Sequence, residues 1–123
     1  MVVSTINSQS LPESAVVAFG CIEDFQLVFG TSIDSRKAKN ISQNGNVSVV
    51  IGWDDKGTIQ YNGIARMLEG DEVEKYSEVY FKKNPTARRY KDNPSERYFL
   101  IEPTWLRFTE VAVDPWKITE LHY

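Results

Sequence analysis

Residues 29–40 read FGTSIDSRKAKN and pass from an apolar strand, through hydroxyl side chains, into the start of a helix. Asp34 or Ser35 can cap that helix, because both side chains accept hydrogen bonds from free backbone N–H groups. Asn44 followed by glycine is typical of a helix C-terminus. The segment therefore predicts a strand that runs directly into a helix over residues 34–44.

The charges of this helix run against its dipole. Arg36, Lys37 and Lys39 occupy its first turn and a half, where each cation costs about 0.3–1 kcal/mol. The cost disappears if an anion lies in front of the helix, because the free N–H groups, the dipole and the basic side chains then all face one negative group. The pattern indicates an anion site.

The side chains around the helix start suit a phosphate monoester. Thr31, Ser32 and Ser35 supply hydroxyl donors, Arg36 offers a bidentate fork, and Lys37 adds a compact point charge. A solvated basic face on a short helix stays open as the alternative, because runs of charge are commonly plain surface.

The remaining chain is rich in strand patterns, with residues 7–13 predicted as a turn and Glu23-Asp24 as a hairpin turn. Gly63 is a candidate bulge or close-approach point, and Pro103 predicts a bend or bulge. The predicted strands are Val2–Ile6, Ala15–Phe19, Phe25–Thr31, Val47–Trp53, Thr58–Leu68, Tyr98–Val111 and Lys117–Tyr123.

A second helix is predicted over Asp71–Lys83, with acidic residues in its first turn and lysines in its last. Val73, Tyr76 and Tyr80 form its predicted buried stripe, and Asn84-Pro85 ends it. The fold class is therefore mainly β: six to seven antiparallel strands in a small β-barrel with two flanking helices.

Composition narrows the function classes. The 123 residues carry 14 Lys and Arg against 17 Asp and Glu, a net charge of −3. The length suits one domain over residues 1–123. The negative net charge argues against nucleic acid or an anionic membrane as partner, because both attract basic proteins. A single cysteine, Cys21, excludes an intrachain disulfide and a multi-thiolate metal site. The sequence has no signal-peptide pattern and no long apolar run, so we expect a cytoplasmic protein. It also has no metal-ligand spacing, so we expect no metal site.

The pattern TSxxSRKxxNI at residues 31–41, followed by the strand NVSVV at 46–50, resembles the flavin-binding split-barrel family of pyridoxamine 5'-phosphate oxidase and its relatives. The resemblance covers nearly the whole chain. Supporting patterns are Gly63 with Ala65, IEPxWxR at 101–107 and PWKI at 115–118.

The resemblance implies a homodimer with two flavin mononucleotide (FMN) sites at the interface and an unidentified small-molecule substrate. It implies that a phosphate is held by Thr31, Ser35, Arg36 and Lys37, with Ser32 close to it. It also implies that Ala15, Val16 and Val17 lie along the flavin ring, that Thr58 or Gln60 approaches the ring or ribityl chain, and that Trp105 and Arg107 come from the partner subunit.

Several positions depart from the oxidase pattern. Ala15 and Gly20 stand where the oxidase has basic residues, Gly30 replaces an aromatic residue, and the oxidase's C-terminal Arg-x-His substrate motif is missing. Pyridoxamine phosphate oxidation is therefore not expected. The chain also begins inside the family's first strand, so the family's N-terminal helix is expected to be absent.

The leading hypothesis is a small FMN-dependent oxidoreductase. The alternatives are a non-catalytic flavin-binding or sensing module, a relative that binds the deazaflavin F420 or haem, and a dimeric interaction domain without a cofactor. Haem needs an axial ligand, and the single histidine, His122, is two residues from the end. Trp53, at a strand end, is predicted to pack in the core or an interface.

Overall fold

A computed structural model describes residues 1–52 and 54–123, so the prediction for Trp53 lies outside the described residues. The described chain forms eight strands and two α-helices, with short 3-10 turns at Glu23–Phe25 and Pro85–Tyr90. In chain order the elements are β1 Val2–Ile6, β2 Pro12–Val16, β3 Gly20–Cys21, β4 Leu27–Ser32, α1 Arg36–Gln43, β5 Asn46–Ile51, β6 Gly57–Met67, α2 Asp71–Lys83, β7 Glu96–Glu110 and β8 Lys117–His122.

All strand pairs are antiparallel, in the order β2-β1-β5-β6-β7-β4-β3, with β8 also paired to β7. The long strand β7 pairs with three other strands of the sheet, β4, β6 and β8. One of its edges pairs with β6, while the other is divided between β4, at Glu96–Ile101, and β8, at Trp105–Glu110. The predicted mainly β split barrel with flanking helices is confirmed.

The sheet is buried on both faces where β4 and β7 pair. Leu27 and Phe29 point into the barrel, where Ala38 and Ile41 of α1 complete the same core. Val28, between them, points to the opposite face and packs in a second core beneath α2. Side chains that alternate between two covered faces explain why these strands are continuously apolar in sequence.

The strand count and the second strand were wrong in the sequence prediction, because the Ala15–Phe19 run is split. Pro12 and Glu13 already belong to β2, where Pro12 is the first residue of an edge strand that tolerates a missing N–H. A second pairing then begins at Gly20, whose added Cβ would lie 3.0 Å from the Tyr80 Cα. Close packing against α2 therefore sets this break and brings the number of strands to eight.

The bounds predicted for α2 are confirmed, but its predicted buried stripe is only partly right. Ser77, Tyr80 and Phe81 are its buried residues, while Val73 and Tyr76 are only partly buried at the rim of the second core. The face is rotated because two aromatic side chains, not the valine, fill the space over β4 and β7.

The predicted irregularities in the two longest strands are confirmed. Gly63 pairs with Pro103 and Asn62 with Trp105, which leaves Thr104 as the extra residue of a bulge. A Cβ on Gly63 would lie 2.5 Å from the Glu102 carbonyl oxygen, so only glycine fits there.

Candidate functional site

The start of α1 is capped by Ser35, one of the two predicted candidates. Its Oγ accepts a hydrogen bond from the Ala38 N–H (3.2 Å) and a second from the Thr31 hydroxyl (3.2 Å). The Ser32 Oγ accepts from the Asp34 N–H at 3.2 Å. A hydroxyl has two acceptor positions and one hydrogen, so the Ser35 oxygen is used twice and its own O–H remains as a donor.

An anion lies beside the first turns of this helix, and the protein supplies it. The Glu13 carboxylate, on β2, forms an ion pair with Arg36 and accepts hydrogen bonds from the side-chain amides of Asn40 (2.8 Å) and Asn7 (3.2 Å). The Asn40 amide also donates to the buried Thr5 hydroxyl at 3.0 Å. The helix charges that are unfavourable in sequence are thus partly neutralised by a side chain that the sequence analysis missed.

The carboxylate lines a small pocket next to the helix start. The pocket measures about 200 Å³ and is lined by Thr5, Glu13, Ser14, Ala15, Arg36 and Lys37. Lys37 also acts on Glu96: burial raises the pKa of the Glu96 carboxyl, and the charge of Lys37 opposes that shift. Arg36 is therefore balanced by Glu13 inside this pocket, whereas the carboxylate that Lys37 acts on, Glu96, lies outside it.

A second group of predicted residues lies on the outer face of the sheet. One row of register partners crosses six strands there: Val16, Val2, Val50, Gln60, Arg107 and Glu120. The Arg107 guanidinium stacks 5.5 Å from the Trp105 ring centre, and its Nε donates to the Glu120 Oε1 at 2.7 Å. This hydrogen bond lowers the pKa of the Glu120 carboxyl.

The two groups face opposite sides of the sheet within one chain. Thr5 is buried inside the barrel, and its register partner Glu13 shares that face, as does Ala15. Val16 points outward and is 76% exposed. Of the residues predicted to contact one ligand, the structure brings Thr31, Ser35, Arg36, Lys37 and Ala15 to the start of α1, with Ser32 beside them.

The other predicted residues are placed elsewhere. Val17 packs partly against the barrel core. Ile59 and Tyr61 point inward from β6, so the alternating residues Thr58 and Gln60 lie on the outer face. Trp105 and Arg107 share that face with them, and Gln60 is the register partner of Arg107.

A model of the pyridoxamine 5'-phosphate oxidase family matches residues 1–110. The chain belongs to this family. Among curated relatives, the pyridoxine/pyridoxamine 5'-phosphate oxidase of Hahella chejuensis is 34% identical over 77 residues, which cover 62% of this chain and 36% of that protein. The chain thus spans about a third of the length of the curated relatives it matches. The resemblance inferred from the sequence is confirmed at the level of the family.

Solved structures of the same fold carry different names. The heme binding protein of Mycobacterium smegmatis superposes with a TM-score of 0.84 at 16% identity, over 98% of this chain and 51% of that one. A pyridoxamine 5'-phosphate oxidase-related, FMN binding protein of Nostoc punctiforme gives 0.72 at 16% identity, over 99% and 85%. At such identities the likeness shows the fold alone.

Two further findings concern the described residues. None of their helices has the length and apolar character needed to cross a membrane. In the same part of the chain, His, Cys, Asp and Glu form no group of three or more that could hold a metal ion.

Proposed function

We propose that this family member is a homodimeric FMN-binding protein that acts as a small flavin-dependent oxidoreductase on an unidentified substrate. The observation that carries the proposal is the start of α1, where the Ser35 hydroxyl accepts from Thr31 and from the Ala38 N–H and keeps its own O–H to donate, and where the cations Arg36 and Lys37 line the adjacent pocket. These are the donors that a phosphate monoester needs.

The residues present fit the phosphate end of FMN. Ser35 has an O–H to donate, Arg36 is 78% exposed and can turn toward a ligand, and Lys37 lines the same pocket. The bound Glu13 carboxylate supports this fit, because it is an anion on the Arg36 guanidinium.

The α1 pocket and the predicted residues on the outer face of the sheet lie on opposite faces of one chain, and this placement supports the dimer. Gln60, Trp105 and Arg107 share the outer face, so one copy cannot close them over its own α1 pocket. That face also exposes Val16 and Val50, apolar side chains that a second sheet can cover. A second copy would bring its outer-face residues to the first copy's ligand, giving two equivalent sites.

The bound flavin would supply hydride or electron transfer, and the chain's own residues would bind and orient it. Arg36, Lys37 and Ser35 would anchor the phosphate. Arg107 is oriented by Glu120 and by the Trp105 ring, so it can present a fixed positive charge to a partner's ligand. The sequence provides no histidine near the α1 pocket to act as a general base.

The proposal is tested by titrating purified protein with FMN and following flavin fluorescence and the visible absorbance bands. We expect saturable binding by the natural chain, and a loss of affinity on the order of 100-fold in the double variant Arg36→Ala with Lys37→Ala, because each charged hydrogen bond contributes about 1.5–3 kcal/mol. Riboflavin, which lacks the phosphate, is the control ligand. A natural chain that neither copurifies with flavin nor binds FMN contradicts the proposal.

The dimer is tested separately by light scattering after gel filtration. Val16→Lys places a charge in the exposed outer row and should shift the protein toward monomer while leaving its circular dichroism unchanged. If a monomeric variant binds FMN as tightly as the natural chain, the partner contributes nothing to the site.

A non-catalytic flavin-binding module is the second candidate, favoured because Arg107 is already paired with Glu120 and Ala15 replaces a basic residue of the oxidase. Steady flavin reduction by NADH or NADPH, with reoxidation by an added acceptor, would favour the enzyme over the module.

Haem is the third candidate ligand, because His122 is exposed on β8, with its Nε2 3.6 Å from the Glu120 carboxylate. A titration with hemin tests it. A shifted Soret band that is lost in His122→Ala would favour haem over FMN.

A further inference from the structure

We propose that Glu13 is a resident counter-ion of the α1 pocket, which holds Arg36 when no ligand is bound and competes with a phosphate monoester for that guanidinium. This inference rests on the proposed function, because it concerns how the same pocket binds the phosphate end of FMN. It assigns to Glu13 the role of an affinity-limiting residue.

The contacts of Glu13 differ from those of an ordinary surface ion pair. Its carboxylate receives hydrogen bonds from the Asn40 amide (2.8 Å) and the Asn7 amide (3.2 Å) as well as the ion pair from Arg36. Asn40 is itself fixed by its bond to the buried Thr5 hydroxyl. Glu13 is thus held by donors from the β1–β2 turn and from α1, and its side chain is only 18% exposed.

The two members of the pair are unequally held, and this decides which one moves. Arg36 is 78% exposed, and among residues 1–52 and 54–123 its side chain forms one ion pair, with Glu13. Because its side chain is exposed, the guanidinium can turn away toward a ligand, at the cost of its contact with Glu13. The carboxylate remains in the pocket wall because Asn40 and Asn7 keep it there.

Two effects therefore oppose the binding of a phosphate monoester in this pocket. The monoester must draw Arg36 away from Glu13, and it then lies in a pocket that the negative carboxylate still lines. Both effects weaken binding of a dianion, and neither acts on a ligand part that carries no charge. Glu72, in the first turn of α2, also pairs with an arginine, Arg66, but that pair is exposed and lies outside this pocket.

Glu13→Gln tests the inference, because it keeps the shape of the side chain and removes its charge. We expect its dissociation constant for FMN to fall on the order of tenfold, with no change for riboflavin. Inorganic phosphate should protect the variant from thermal unfolding at lower concentrations than it protects the natural chain. Glu72→Gln, which removes one negative charge and one arginine partner elsewhere, is the matched control and should change none of these values.

A double-mutant cycle assigns the effect to Arg36. In the Arg36→Ala background, Glu13→Gln should tighten FMN by less than it does in the natural chain, because the competition for the guanidinium is gone. Equal FMN affinity of the natural chain and Glu13→Gln, or equal tightening for riboflavin, overturns the inference and leaves the proposed function standing. Failure of every variant, Glu13→Gln included, to bind FMN or phosphate overturns both.

A folding defect in Glu13→Gln, seen by circular dichroism, would be bypassed with Glu13→Asp. The shorter side chain keeps the charge but withdraws it from Arg36, so FMN should bind about threefold more tightly than to the natural chain. Unchanged or weaker binding by a folded Glu13→Asp also counts against the inference.

Discussion

The two helices of this protein pack on the same sheet but carry their charges in opposite senses. The longer helix, α2, has acidic residues in its first turn and Lys82 and Lys83 in its last, as its dipole favours. The shorter helix, α1, has no acidic residue in its first turn and begins with Arg36 and Lys37.

The packing of the helices differs in the same way as their charges. Phe81 and Tyr80 of α2 fill a core of their own beneath the helix, whereas α1 contributes only Ala38 and Ile41 to the barrel core. A helix that follows its dipole and buries aromatic side chains stabilises the fold. A helix that opposes its dipole is stabilised by a nearby anion, and here Glu13 supplies one.

The largest expected effect is on the α2 side. Phe81 is 1% exposed and contacts the rings of Tyr80 and Tyr98, so Phe81→Ala should lower the free energy of unfolding by about 3–5 kcal/mol. Chemical denaturation measures this change, with Lys82→Ala, the exposed neighbour, as a control that should lose at most about 1 kcal/mol, the contribution of its charge to the helix dipole. Under conditions where the variant is folded, its FMN affinity should equal that of the natural chain; a weaker affinity would mean that the two helices are not independent.

A smaller effect, but on two properties at once, is expected at α1. Ser35→Ala removes the helix cap and should lower the free energy of unfolding by about 1 kcal/mol. It should also weaken FMN binding by about 3- to 10-fold, because the same hydroxyl is a proposed phosphate donor. Ser42→Ala, later in the same helix and bonded only to the Lys39 carbonyl, should leave the FMN affinity unchanged. Equal effects of both variants on FMN affinity would remove Ser35 from the site.

The smallest effect tests the dipole itself. Asp71 is exposed in the first turn of α2, and Asp71→Lys should lower the free energy of unfolding by about 0.5–1 kcal/mol at low salt. The loss should shrink in high salt, because exposed charges are screened. Asp71→Asn should lose about half as much. No loss of stability in either variant, relative to the natural chain, would show that the Asp71 charge does not stabilise α2.

Local signals made much of the fold predictable. The charges and the Asn84-Pro85 stop define α2 within its own sequence, and its bounds are confirmed. Local sequence also indicated Ser35 as one of two candidate caps of α1 and Gly63 as a candidate bulge point, and the structure has a cap and a bulge at these residues. The break in the second predicted strand was missed because it depends on Gly20 meeting Tyr80, far along the chain.

Of the candidate site, only the residues at the start of α1 could be predicted from the sequence. The hydroxyls and cations at residues 31–37 are contiguous, so their pattern is visible in sequence. Glu13 lies elsewhere in the chain and reaches Arg36 only because it pairs with Thr5, beneath α1. Asn40 belongs to the family-like pattern, but its bonds to Thr5 and Glu13 follow from tertiary structure.

The divided edge of β7 sets a distance that the side chains cannot change. Arg97 pairs with Thr31 near one end of the strand, and Arg107 pairs with Gln60 near the other; the ten residue steps from one arginine to the other extend about 33 Å. Sliding a strand by one residue would turn every side chain to the wrong face. In the proposed dimer, the length of β7 would therefore fix how far Thr31, near the α1 pocket of each copy, lies from that copy's own Arg107.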